Sequence, residues 1–169
     1  MSSFEAIVEA KIQAALDRRL IALTSTIAAV MQEMNSRGML NSGMTVKNVH
    51  SECLALFDLV RDDIKTEYSI LLDATLWPTD RLISRLILNA SKNLEKVAEC
   101  SRNEIEAASR SLLNDNIHKS LIKDIPVARD RAFTDLSLFI DGHRKVKFNR
   151  SIKGLVALVP KTLGRFLGL

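Results

Sequence analysis

Residues 16–34 read LDRRLIALTSTIAAVMQEM, and the spacing of their apolar side chains decides the fold. Leu16, Leu20, Leu23, Ile27, Val30 and Met34 follow one another in steps that alternate between four and three residues. On an α-helix that rhythm collects them along one side, as in the seam of a coiled coil or bundle. Upstream, Phe4, Val8 and Ile12 continue the stripe, and Ser2 and Glu5 stand at the spacing of a capping box. The pattern predicts a helix over 3–36, roughly 50 Å long at about 1.5 Å per residue.

Downstream, Ser36-Arg37-Gly38-Met39-Leu40-Asn41-Ser42-Gly43 reads as a connector. Gly38 suits a left-handed C-terminal cap, and Asn41-Ser42-Gly43 is turn chemistry. Met39 and Leu40 are placed to plug the end of a bundle, and Thr45 reads as the next N-cap. The second helix carries Val46, Val49, Cys53, Leu56, Val60, Ile64, Tyr68, Leu71 and Leu72 at helical spacing. Pro78 disfavours helix at Trp77 and interrupts the pattern; Thr75 or Thr79 can cap the next helix. The third helix is expected over 79–113, with the stripe Ile83, Leu86, Ala90, Leu94, Val97, Ser101, Ile105, Ala108 and Leu112. Asn114-Asp115-Asn116 breaks it. A short helix through Ile117, Leu121 and Ile122 comes next. Another begins at Asp124, tolerates Pro126 in its first turn, buries Ala128, Ala132, Leu136, Phe139 and Ile140, and ends at Gly142. No segment sustains the period of two that a strand requires.

Composition agrees with helix. The 169 residues include 6 Gly and 3 Pro, so few positions break a helix, and aromatics are only 5%. The net charge of +4 is unevenly spread. Residues 144–169 hold Arg144, Lys145, Lys147, Arg150, Lys153, Lys161 and Arg165 and no acid, whereas the preceding residues are slightly acidic. A concentrated cationic end calls for an anionic partner. Cys53 and Cys100 lie in separate helical patterns without CxxC spacing and read as reduced core thiols of a cytoplasmic protein. The early acids of MSSFEAIVEAKIQ do not fit a secretory signal, and no apolar run is long enough for a transmembrane helix.

The basic end divides in two. Residues 143–151 read as a cationic linker, and IKGLVALVPKTLGRFLGL, residues 152–169, as an amphipathic helix. At 100° per residue, Ile152, Leu155, Val156, Val159, Leu163, Phe166 and Leu167 share one apolar arc. Lys153, Lys161 and Arg165 lie opposite, with Gly154, Ala157, Gly164 and Gly168. Pro160 and the glycines weaken this helix in isolation, so it needs an apolar surface to fold against. A lipid surface supplies one, with anionic headgroups for the lysines and arginines. The core of the protein itself supplies another, since amphipathic helices of soluble proteins usually face their own core. A nucleic-acid role ranks below both, because Phe148 and Phe166 are the only aromatics available for stacking.

Catalytic chemistry is weakly indicated. Asp115 and His118 stand three apart, but helical di-metal sites need two such pairs and further carboxylates. His50 and Glu52 diverge on a helix, and His143 is expected in solvent. Asp58, Asp62, Asp63 and Glu67 form an acidic patch that reads as a solvated face or a dock for the basic tail. His50 stands three residues from Cys53 with nothing to orient it, so Cys53 reads as a structural thiol. Neither a phosphate-binding loop nor a nucleophile elbow is present.

These readings predict an all-α protein: an elongated antiparallel bundle of three long helices with shorter C-terminal helices. Residues 1–142 form the bundle and 143–169 the basic linker and amphipathic helix. The expected function is non-enzymatic interaction or scaffolding, without cofactor or small-molecule substrate, the cationic segment binding an anionic membrane or an acidic protein surface. The long seams also suit a homo-oligomer. A nucleic-acid-associated bundle and a helical metalloprotein using Asp115 and His118 are the alternatives.

Overall fold

The computed structural model describes residues 3–110 and 115–166, with side chains described for 4–110 and 119–149. They form helices α1 (Ser3–Ser36), α2 (Gly43–Ala74), α3 (Asp80–Ser109), α4 (Asp115–Ile122) and α5 (Asp124–Phe166). No strand occurs among the described residues, and the fold is an all-α helical bundle.

From Val8 onward the seam of α1 behaves as its spacing requires, whereas Phe4, expected to continue it, is exposed. Val8, Ile12, Leu16, Leu23, Ile27 and Met34 are buried, with Leu20 and Val30 partly so. A Schellman motif ends the helix: Met39 N–H donates to the Met34 carbonyl at 2.8 Å and Gly38 N–H to that of Asn35 at 2.9 Å. The motif needs a left-handed residue, and Gly38 supplies it with φ of 69°. The next helix starts earlier than expected. Ser42, not Thr45, is its N-cap, accepting from Thr45 N–H at 3.4 Å. Thr45 is buried, and its hydroxyl turns back to the Met39 carbonyl at 2.7 Å. Met39 stays exposed rather than plugging the bundle.

The helices alternate in direction. Arg19 of α1 meets Asp63 of α2, while Met34 lies beside Asn48, so these two run antiparallel. Tyr68 of α2 donates its hydroxyl to the Leu86 carbonyl of α3 at 3.1 Å. His50, Arg61 and Lys147 fix the register of α5 on α2: they link 50 to 124, 61 to 135, and 147 to 72–75. Thus α5 runs parallel to α2 and antiparallel to α3, against which Arg129 pairs with Glu95 at 2.6 Å. α2 and α3 form a central pair. α5 fills the groove between them on one side; α1 lies on α2 at the other and touches α3 only sparingly.

The core is continuous through α1, α2, α3 and the first half of α5. Every apolar residue of the expected second-helix stripe is buried, joined by Phe57. On α5 the buried positions are Ile125, Ala132, Leu136 and Ile140, with Ala128 and Phe139 partly buried. Gly142 does not end this helix. The backbone stays helical through it and through residues 143–151, expected as a linker, to Phe166. A glycine costs a helix only about 1 kcal/mol, which contacts on either side of it offset. The third helix stops at Ser109 instead of 113; Leu112 lies outside the described residues, as does Ser2 of the expected capping box.

Candidate functional site

The basic segment enters the bundle at the end where α2 stops and α3 begins. The last turn of an α-helix leaves carbonyls without intrahelical partners. At the end of α2, Thr75 donates to Leu71 through both its N–H (3.1 Å) and its hydroxyl (2.7 Å). The Leu72 carbonyl, which Thr75 N–H also reaches at 3.3 Å, and those of Asp73 and Thr75 receive the ammonium of Lys147, at 2.8 Å for Asp73 and 2.7 Å for Thr75. A cation at this position also opposes the negative pole of the helix. One turn earlier on α5, Arg144 pairs with Asp80 in the first turn of α3. His143, expected in solvent, is half-buried; its Nδ1 lies 3.1 Å from the Phe139 carbonyl, and its ring stands 4.4 Å from that of Phe139.

Two of the seven predicted anion-binding cations are therefore engaged with the body of the protein. Lys145 is exposed. The side chains of Arg150, Lys153, Lys161 and Arg165 lie outside the described residues, as do those of the apolar arc, Ile152, Leu155, Val156, Val159, Leu163, Phe166 and Leu167. The backbone carrying all of them but Leu167 is helical.

The same end exposes apolar side chains that patterning did not single out. The α2–α3 loop, residues 75–79, presents Leu76 and Trp77, at 85% and 54% of full exposure. Phe148, next to Lys147, is also exposed. A composition shift cannot reveal such a tip. The signal available was an apolar pair, Leu76-Trp77, immediately preceding a proline, at a point where neither neighbouring helix can bury it.

The acidic patch on α2 has other partners. Asp63 receives both Nε and Nη2 of Arg19, at 2.8 and 3.1 Å. Asp58 and Asp62 flank Arg61, whose guanidinium also reaches Asp135 at 3.3 Å. Hydrogen bonding to Arg61 holds the Asp62 carboxyl below its ordinary range. Glu67 lies 3.9 Å from Lys11. The patch thus ties α1 to α2 through Asp63 and Glu67, and its Asp58 and Asp62 flank the Arg61 that reaches α5.

The remaining candidates have structural surroundings. Cys53 is fully buried, and its thiol faces the Ser101 carbonyl at 3.8 Å. Burial pushes its pKa up to about 12, the reverse of what a nucleophile needs. Cys53 and Cys100 are both free thiols. His50 is buried, with Nε2 3.3 Å from Asp124 at the start of α5. Among the described residues no group of three or more His, Cys, Asp or Glu side chains is placed to hold a metal ion. Asp115 and His118 have side chains outside those residues. Among the described residues, too, no helix is long and apolar enough to cross a membrane.

No family model, no curated protein and no solved structure matches this chain.

Proposed function

We propose that the protein is a non-enzymatic helical scaffold whose cationic C-terminal segment binds an anionic membrane surface. The observation that carries this reading is the course of α5. At Lys147 it is already level with the last turn of α2, yet it continues as helix for nineteen residues, to Phe166. At about 1.5 Å per residue that is roughly 28 Å of helix. Over that length the sequence has four cations, no acid, and one apolar arc. A helix of that kind suits the boundary between headgroups and acyl chains.

Each lysine or arginine near an anionic bilayer contributes about 1 kcal/mol. The test is co-sedimentation of the full chain with vesicles of phosphatidylcholine containing a quarter phosphatidylserine. Replacing Arg150, Lys153, Lys161 and Arg165 together by Gln leaves Arg144 and Lys147 in place. The expected result is a loss of affinity on the order of a hundredfold or more, from four such contributions. Binding that the four substitutions leave unchanged rejects the reading, as does equal binding to vesicles of phosphatidylcholine alone.

A further inference from the structure

The most exposed large apolar side chain among the described residues, Leu76, sits beside Trp77 at the end of the bundle where the basic helix departs. This tip is held from both sides. Thr75 closes α2 by bonding back to Leu71, and Thr79 caps α3 by accepting from Leu82 N–H at 3.2 Å. Pro78 keeps the residue before it extended. A short, doubly capped loop thus holds a leucine and an indole out in water, where each forgoes the stabilisation of burial.

The charge around the tip is arranged for an anionic neighbour. The α2 C-terminus, whose negative pole would repel one, is covered by Lys147. The α3 N-terminus, a positive pole, opens at the same end. Asp80 is neutralised by Arg144, and Arg81 and Lys145 are exposed. Asp73 is an exposed carboxylate there. An indole ring has an apolar body and one N–H donor, which is why tryptophan gathers at the level of lipid headgroups.

We propose that Leu76 and Trp77 insert into the acyl boundary of an anionic bilayer, so that the α2–α3 loop and the basic end of α5 engage one membrane face together. The proposal rests on the membrane reading of the C-terminal segment and adds a second, apolar anchor to it.

The chain has 1 Trp, so its tryptophan emission reports on Trp77 alone. With the full chain and vesicles containing a quarter phosphatidylserine, the emission is expected to shift to the blue. Lipids brominated on the acyl chains are expected to quench it, and aqueous acrylamide to quench it less than in free protein. The double substitution Leu76→Ser, Trp77→Ser, at exposed positions, is expected to keep the circular dichroism of the native protein and weaken sedimentation with these vesicles about tenfold or more. Protein that sediments with the vesicles while its emission stays unshifted and fully open to acrylamide overturns the proposal but leaves the C-terminal reading intact. Sedimentation with neither anionic nor neutral vesicles overturns both. A blue shift that grows with protein concentration without vesicles, together with a dimer in ultracentrifugation, overturns it in favour of a contact between copies of this chain.

Discussion

Lys147 Nζ donates to the Thr75 carbonyl oxygen at 2.7 Å, across 72 residues of sequence. One ammonium thereby closes the last turn of α2 and fixes α5 against it, satisfying groups that would otherwise need water.

Replacing Lys147 by Met keeps the apolar stem and removes the donor. The expected loss of stability is about 1–2 kcal/mol, from charge-assisted bonds and the helix pole together. In urea denaturation the midpoint should fall while the slope holds, since the surface exposed on unfolding is the same. Lys147→Arg retains the charge and should lose less.

The first half of α5 belongs to the core, and two leucines separate that claim from mere helicity. Leu136 is fully buried, whereas Leu138, two residues on, is 66% exposed. Leu136→Ala is expected to cost about 2–5 kcal/mol through the cavity it leaves. Leu138→Ala should stay within about 0.5 kcal/mol of the parent. Thermal denaturation of the two variants side by side decides the matter; equal effects would mean that α5 is not seated as described.

How far the sequence reveals this arrangement depends on the range of the interaction. The α1 seam, the Gly38 cap and the Thr79 cap are local: period and cap chemistry lie within a few residues of each other and can be read directly. The course of α5 past Gly142 is not local. Arg144 finds Asp80 and Lys147 finds the end of α2 only once the bundle has formed. From sequence, the same two residues read as part of a basic segment without acids. Ser42 and Thr45 illustrate the finer limit. Both have cap chemistry, and only the return of the chain at Met39 makes Ser42 the cap and turns Thr45 inward.

Two glycines predict opposite outcomes for the same substitution. Gly38 has φ of 69°, so Gly38→Ala is expected to cost about 1 kcal/mol although nothing lies within 4 Å of the added Cβ. Gly142 sits in mid-helix with equally open surroundings, so Gly142→Ala should stabilise by about 0.5–1 kcal/mol. Calorimetry on the two single variants should give melting temperatures on either side of the parent.

Cys53 should leave a signature in alkali. Burial raises its folded-state pKa from 9.0 to about 12. A raised value means that the folded chain keeps its proton while the unfolded chain gives it up. The associated stability is whole below pH 9 and declines as pH climbs from 9 toward 12. Between pH 9 and 10, below the range where the buried Tyr68 phenol adds the same trend, the parent should lose stability more steeply than Cys53→Ala. Thiol titration of the native protein at pH 8 is expected to modify Cys100 slowly and Cys53 only after unfolding.

The unequal seating of the outer helices sets an order of opening. α5 is wedged between α2 and α3, while α1 leans chiefly on α2 and reaches α3 at few points. Local fluctuations should therefore lift α1 first. Its amides are expected to exchange with solvent deuterium ahead of those in the middle of α2 and α3. A protease in limited digestion should nick the chain near Arg37, where the flank that peels away joins the part that stays.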